Sequence, residues 1–191
     1  DDVDGEGDPL ALSEARTNTF TRTRKILDVS TPTLEGASKI EKLYLASDQR
    51  RYFMPCPECG HMDYLTWQDV SHHSIEFLEA HPEDVHMLCA SCRASIPEHA
   101  KETMLSRGEW RPTAESDGRI RGYHLSALYS PLGWYPWSEI LARFLLAKKD
   151  RSKLKVWVNT DLGETWKDEQ DGPPKEEALL ARAEQYPAEV P

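Results

Sequence analysis

Four cysteines stand in two Cys-x-x-Cys pairs, Cys56-Pro57-Glu58-Cys59 and Cys89-Ala90-Ser91-Cys92, and they are all the cysteines of the 191-residue chain. Two such pairs on two turns can set four thiolates at the corners of a tetrahedron, the geometry of a closed structural zinc site. Gly60 follows Cys59, as in a Cys-Pro-x-Cys-Gly knuckle, where glycine lets backbone amides turn toward the thiolates. The competing chemistries are a disulfide framework and a redox pair. The first needs an oxidising compartment, and the sequence shows no signal peptide. The second is usually a single pair at a strand-to-helix junction. The interval from Cys59 to Cys89 is longer than common for four-cysteine sites, and it carries His61, His72, His73, His81 and His86. Any of these can replace a thiolate, but the simpler reading places them on a solvated insertion. Four thiolates leave no open position for a substrate water, so such a zinc folds the module and does not catalyse.

The second candidate is the loop Ser30-Thr31-Pro32-Thr33, which follows the β-prone run Lys25–Val29. Hydroxyls at the carboxyl end of a strand in an open α/β sheet line the crevice where ligands bind. Ser, Thr and Pro are also ordinary turn residues, and on composition alone a plain strand-to-helix turn is favoured. Arg16, Arg22 and Arg24 precede the strand, where an arginine can stabilise a transferring phosphoryl group; surface placement is the commoner reason for them. Trp134 and Trp137 can stack on bases or fill a core, with burial favoured. There is no Gly-x-x-x-x-Gly-Lys-Ser/Thr loop, no Gly-x-Ser-x-Gly elbow and no His-Glu-x-x-His. The chain by itself lacks a complete catalytic constellation.

The elements that would hold these residues are legible in outline. Asp8-Pro9 reads as N-cap and first position of a helix to about Arg16. Lys25–Val29 reads as a strand, and Ser38 with Glu41 as a capping box for a helix carrying Ile40, Leu43 and Tyr44. Helix, strand, hydroxyl-rich loop and helix in that order predict an α/β layer with parallel strands. Arg50–Met54 begins a small β-rich metal module, with Tyr64–Trp67 and Val85–Leu88 as its strands. Ser95 and Pro97 start a helix that Gly108 stops. Trp110 and Ile120–Leu125 suggest two strands joined by a turn at Glu115–Gly118. A helix after Pro136 carries Ile140, Leu141, Phe144 and Leu145 on one face, and Arg143, Lys148 and Lys149 on the other. Leu154–Val158 continues as a helical or mixed segment toward Leu162-Gly163. Lys175–Gln185 reads as a last amphipathic helix before a Pro-bearing linker.

The net charge of −10 argues against a free-standing nucleic-acid binder, though not against a piece of a larger nucleic-acid machine. No apolar run approaches the length of a membrane span. The acidic opening without an initiator methionine reads as part of a longer polypeptide.

Taken in order, several runs resemble one family. They are Asp1–Pro9, Arg16-Thr17-Asn18-Thr19-Phe20, Lys25–Thr33, Ser47–Tyr52, Cys56-Pro57-Glu58-Cys59-Gly60, Gly108-Glu109-Trp110, Tyr123–Pro131 and Val158–Trp166. Together they resemble the large terminase subunit of tailed phages, of the lambda A-protein type, over nearly the whole chain. That family is a DNA-packaging motor with an N-terminal ATPase and a C-terminal nuclease.

The resemblance implies a division into 1–48, the C-terminal portion of the ATPase, 49–108, a zinc ribbon, and 109–191, strands and a helical connector toward the nuclease. The fold class is then α/β: part of a P-loop-type ATPase layer, a β-rich zinc ribbon and a helical connector. Ser30 and Thr31 become the coupling motif beside the γ-phosphate or its attacking water, and Cys56, Cys59, Cys89 and Cys92 the metal ligands. Asp1-Asp2 matches the loop after the Mg²⁺-binding strand and not the Mg²⁺ site itself. The phosphate loop is expected upstream and the nuclease carboxylates downstream, so the chain alone is expected to be inactive. ATP and Mg²⁺ are implied for the full-length protein. So are double-stranded DNA, a terminase small subunit and a portal or procapsid as partners, an oligomeric motor without membrane association, and the cytoplasm of the bacterial host. A non-enzymatic zinc-ribbon module that binds DNA or a partner subunit is the alternative.

Overall fold

The computed structural model describes residues 7–70, 75–81 and 84–167. The chain divides into two units, one ending at Ser30 and the other beginning at Thr31.

In the first unit, helix α1 spans Pro9–Ala15, with the Asp8 carboxylate accepting from the Leu10 amide at 3.4 Å and proline at the first position, as predicted. A 3₁₀ turn follows at Asn18–Phe20. Lys25–Val29 forms no strand. A strand is held by hydrogen bonds to a neighbouring chain segment, and no described residue pairs with this run. Leu27 and Val29 are accordingly 85% and 82% exposed. The predicted parallel layer is therefore not present among the described residues.

The second unit opens with helix α2, Lys39–Leu45, behind Ser38. Its predicted capping box does not form: the Ser38 side chain makes no cap bond, and Glu41 reaches back to the Gly36 amide at 2.7 Å. Strand β1 (Arg50–Pro55) is the centre of the sheet. It pairs antiparallel with β2 (Met62–Tyr64; Phe53 opposite Tyr64) and with β5 (Glu109–Arg111; Tyr52 opposite Trp110), and parallel with β6 (Tyr123–His124). The turn at Glu115–Gly118 lies between β5 and β6 in the chain, as predicted. Both strands pair with β1.

Period-2 alternation sends Tyr52 and Met54 into the core, and Arg51 and Phe53 to the other face. The strand predicted at Tyr64–Trp67 ends at Tyr64, because Thr66 and Asp69 cap a 3₁₀ turn, Trp67–Asp69, with Thr66 Oγ1 donating to Asp69 Oδ2 at 2.6 Å. Helix α3 is Ile75–Ala80. Strands β3 (His86–Leu88) and β4 (Ser95–Pro97) make an antiparallel hairpin, Met87 opposite Ile96. Ser95 and Pro97 therefore lie in a strand and not at a helix start. Helix α4, Lys101–Ser106, begins only after a 3₁₀ turn at Glu98–Ala100.

Helix α5, Trp137–Ala147, packs on α6, Arg151–Trp157, with Trp137, Ile140, Leu141 and Trp157 buried. Trp67, Phe144 and Trp157 stack edge to face or tilted with centroids 4.7–5.2 Å apart, joining the 3₁₀ turn after β2 to the helical pair. The α5 entry is held from outside: Glu98 Oε1 accepts from the Trp137 amide at 3.0 Å and from the fully buried Lys101 Nζ at 2.7 Å. One apolar core runs through both the β3–β4 hairpin and the helical pair. A π-turn, Val158–Leu162, follows α6 and stops at Gly163 (φ 65°). A Cβ on Gly163 would also come within 3.3 Å of His124 Nε2, so both backbone and space favour glycine. The final helix predicted at Lys175–Gln185 lies outside the described residues.

Candidate metal centre

The two knuckles are built alike. The Cys56 amide donates to the His61 carbonyl (2.8 Å) and the Gly60 amide to the Cys56 carbonyl (2.9 Å). In the second knuckle the Cys89 amide donates to the Ala94 carbonyl and the Arg93 amide to the Cys89 carbonyl, both at 3.0 Å. The residue after each second cysteine is left-handed, Gly60 at φ 72° and Arg93 at φ 62°. Glycine meets that demand freely in the first knuckle, while the second holds an arginine there at a steric cost.

These turns bring the four sulfurs within 4.8 Å of one another. Cys56 Sγ lies 3.9 Å from Cys92 Sγ, and Cys59 Sγ 3.8 Å from Cys89 Sγ. A regular tetrahedron with edges of about 3.8–3.9 Å has its centre about 2.3–2.4 Å from each corner, near the roughly 2.3 Å zinc–thiolate bond, so these two edges suit zinc. All four cysteines are free, and these separations are far beyond the roughly 2.05 Å of a disulfide. Cys56 and Cys89 are buried, Cys59 and Cys92 exposed.

Backbone amides point at the sulfurs, as a thiolate requires. Burial opposes ionisation of Cys89, yet the Cys92 and Ser91 amides and the neighbouring thiols bring its pKa down to about 6. At Cys92 the Ala94 amide favours the thiolate, but Cys59, Cys89 and Cys56 outweigh it and push the thiol up to about 12. Burial also raises Cys56. Cys89 is thus readier to ionise than Cys56 or Cys92, and a bound dication would offset the interaction with neighbouring sulfurs that holds Cys92 protonated.

The described histidines stand apart from the cluster. The His61 ring faces Asp63 at 3.9 Å, His86 bonds the Asp84 carbonyl at 2.8 Å, and His81 packs on Phe77. His72 and His73 lie outside the described residues. The cavity beside the cysteines measures only about 40 Å³, too small for a substrate.

Ser30 and Thr31 take no part in this cluster, and both are exposed. Arg24 is turned inward on its own unit, with its guanidinium on Thr17 Oγ1 (3.1 Å), Asn18 Oδ1 (3.0 Å) and the Glu14 carbonyl (3.5 Å). Arg16 and Arg22 are exposed. Trp137 is a core residue, whereas Trp134 is exposed.

A second constellation was not read from sequence. Just past Thr31, the Thr33 carbonyl accepts from Asn159 Nδ2 and from the Trp166 amide, both at 2.9 Å. Leu34 and Trp166 form a parallel bridge, and the Glu35 amide returns a bond to the Trp166 carbonyl at 3.1 Å. Nearby, His124 is mostly buried; Nε2 bonds the Gly163 carbonyl at 3.0 Å and Nδ1 faces the Arg51 guanidinium. Burial first, and the Arg51 charge second, lower its pKa to about 4, so Nδ1 accepts and Nε2–H donates at neutral pH. Asp161, also buried, receives Arg143 at 3.0 Å and the Tyr135 hydroxyl. Val158-Asn159-Thr160-Asp161 precedes a turn-forming Gly163 in the sequence, but nothing local says which carbonyls Asn159 meets.

Fold and site together define a mixed helix-and-sheet chain carrying a four-cysteine centre able to hold a metal. The family model for the phage terminase large subunit gpA, ATPase domain, matches residues 1–110, and that for the terminase large subunit gpA, endonuclease domain, matches residues 120–191. The chain belongs to the gpA family of phage terminase large subunits. It is similar to the terminase large subunit of Enterobacteria phage P21 (31% identity over 212 residues) and to that of Escherichia phage lambda (28% over 209 residues), each match covering the whole chain. The chain spans about a third of the length of these curated relatives, 32% in both cases. No solved structure gives a significant match.

Proposed function

We propose that this chain is the central segment of a DNA-packaging terminase large subunit. In the whole protein, ATP hydrolysis drives double-stranded DNA into a procapsid and a metal-dependent endonuclease cuts concatemers. The observation that carries this reading is the order of the two family matches, ATPase then endonuclease, on one chain. Residues 1–48 close the ATPase domain, 49–108 form a zinc ribbon, and 109–191 lead into the nuclease. The ATPase match extends through the cysteine cluster, and the endonuclease match takes in α5 and α6. The metal is zinc, held by Cys56, Cys59, Cys89 and Cys92. Its work is structural, since four thiolates fill a tetrahedron and the adjoining cavity admits no substrate.

Ser30 and Thr31 act as the coupling motif, their hydroxyls beside the γ-phosphate or the attacking water. ATP and Mg²⁺ bind the full-length protein, whose phosphate loop and nuclease carboxylates complete the two centres; the segment by itself neither hydrolyses ATP nor cuts DNA. The partners are double-stranded DNA, the small terminase subunit and the portal of the procapsid, with an oligomeric motor working in the cytoplasm of the bacterial host.

ATP turnover tests this on the chain alone and on the chain extended upstream. The extended protein is expected to hydrolyse ATP, with Thr31→Ala reducing turnover at least about tenfold, the loss of one oriented group acting on the transition state. Turnover indifferent to Thr31→Ala overturns the coupling role. No turnover together with tight DNA or subunit binding favours a non-enzymatic zinc-ribbon module.

A further inference from the structure

We infer that Asn159 is a positioning residue for the Thr31 loop, tying it to the segment that leads into the nuclease. Asn159 sits in the π-turn that ends α6, an element often found where a helix has been adapted for a task, and its side chain is buried. Nδ2 donates to the Thr33 carbonyl at 2.9 Å and to the Glu164 carbonyl at 2.7 Å. A buried side-chain amide thus spends both its hydrogens on two backbone carbonyls, one of them 126 positions away. The bond to Thr33 is reinforced by the Trp166 amide on the same oxygen and by the Leu34–Trp166 bridge.

Only Pro32 lies between this anchor residue and Thr31. Proline fixes its own φ and confines the residue before it to extended conformations. The path from Thr33 back to Thr31 is therefore short and stiff. Movement of Thr31 must either carry the 159–166 segment with it or break the Asn159 bonds. Residues 31–35 lie within the ATPase match and 158–166 within the endonuclease match, so the tie joins segments of the two domain types. Asn159 is thus a side chain that holds the backbone of this stretch from the far end of the chain.

The inference rests on the proposed role of Thr31. Its test uses the full-length protein carrying wild-type Asn159, Asn159→Ala, Asn159→Asp or Asn159→Ser, with Thr31→Ala as the reference. ATP hydrolysis is measured without DNA and with saturating linear duplex DNA in the same samples. The stimulation ratio is the readout, because loss of correctly folded protein lowers both rates and cancels. Asn159→Ala and Asn159→Asp are expected to lower that ratio by roughly fivefold or more, the lower end of coupling between distinct sites, with KM for ATP unchanged. Asn159→Ser, which keeps a single donor, is expected to fall between them and wild type. A ratio unchanged in both Ala and Asp variants overturns the positioning role while leaving the coupling role of Thr31 intact. Turnover indifferent to Thr31→Ala overturns both.

Discussion

Removing the metal from the cysteine centre should release the β3–β4 hairpin before the rest of the unit. The hairpin pairs three residues with three, and an isolated two-stranded ribbon is marginal in water. Its contribution to the core is Met87 at 1% and Ile96 at 4% exposure. Two such side chains are worth about 1.5–3 kcal/mol each, so roughly 3–6 kcal/mol of burial depends on holding the hairpin in place. That lies inside the order of 10 kcal/mol that a structural zinc can add to folding. The assay is hydrogen exchange under reducing conditions, before and after chelation, with zinc content measured in parallel.

The informative amides are those of Cys56, Gly60, Cys89 and Arg93, each bonded within a knuckle. Loss of about 3–6 kcal/mol converts to roughly 10²–10⁴-fold faster exchange at these positions. Cys89→Ser should behave as the chelated protein does. Elemental analysis should find about one zinc per chain, as one four-thiolate site requires. A metal-free chain that keeps protection at all four amides, or a disulfide between Cys56 and Cys59, would refute the reasoning.

Two further predictions concern the frame around the site. His124 is neutral in the folded chain down to about pH 4 but protonates near 6.5 when unfolded, so the unfolded state binds the extra proton between these values. Stability should therefore be full above about pH 6.5 and fall by up to about 3 kcal/mol as pH drops to about 4; His124→Gln should flatten that part of the Tm–pH curve, and an unchanged slope would remove His124 as its source. Glu98→Ala strands the fully buried Lys101 ammonium and the Trp137 amide and should cost about 3–5 kcal/mol in urea unfolding, whereas Lys101→Met leaves a partly exposed carboxylate still bonded to Trp137 and should cost under about 1.5 kcal/mol; equal losses would contradict the asymmetry.

The four-cysteine cluster was legible because cysteine spacing is local. Each Cys-x-x-Cys pair needs only its own turn, and Gly60 announces the left-handed position that the turn requires. Arg93 occupies the same position in the second knuckle without announcing it, since arginine has no preference for a left-handed φ. Helix α5 was legible from Pro136 and the apolar stripe at Ile140, Leu141, Phe144 and Leu145. Ser95–Pro97 misled because Ser and Pro are helix-start residues by composition, while Ile96 between them is drawn into the core opposite Met87. The Ser38–Glu41 signature misled for a similar reason: Glu41 found the Gly36 amide, and its other oxygen the Thr165 hydroxyl at 3.1 Å.

By itself the sequence determined the four thiols, their grouping in pairs, the cap at Asp8-Pro9 and the order of runs that marks the family. These depend on residues within a few positions of one another, or on identity alone. Only the tertiary structure decided that Lys25–Val29 lacks a partner among the described residues, that β5 and β6 both return to β1, and that Asn159 holds the Thr33 carbonyl. Each of these rests on hydrogen bonds between distant segments. A residue's own chemistry says that it can make such a bond, and the folded chain alone says with which partner.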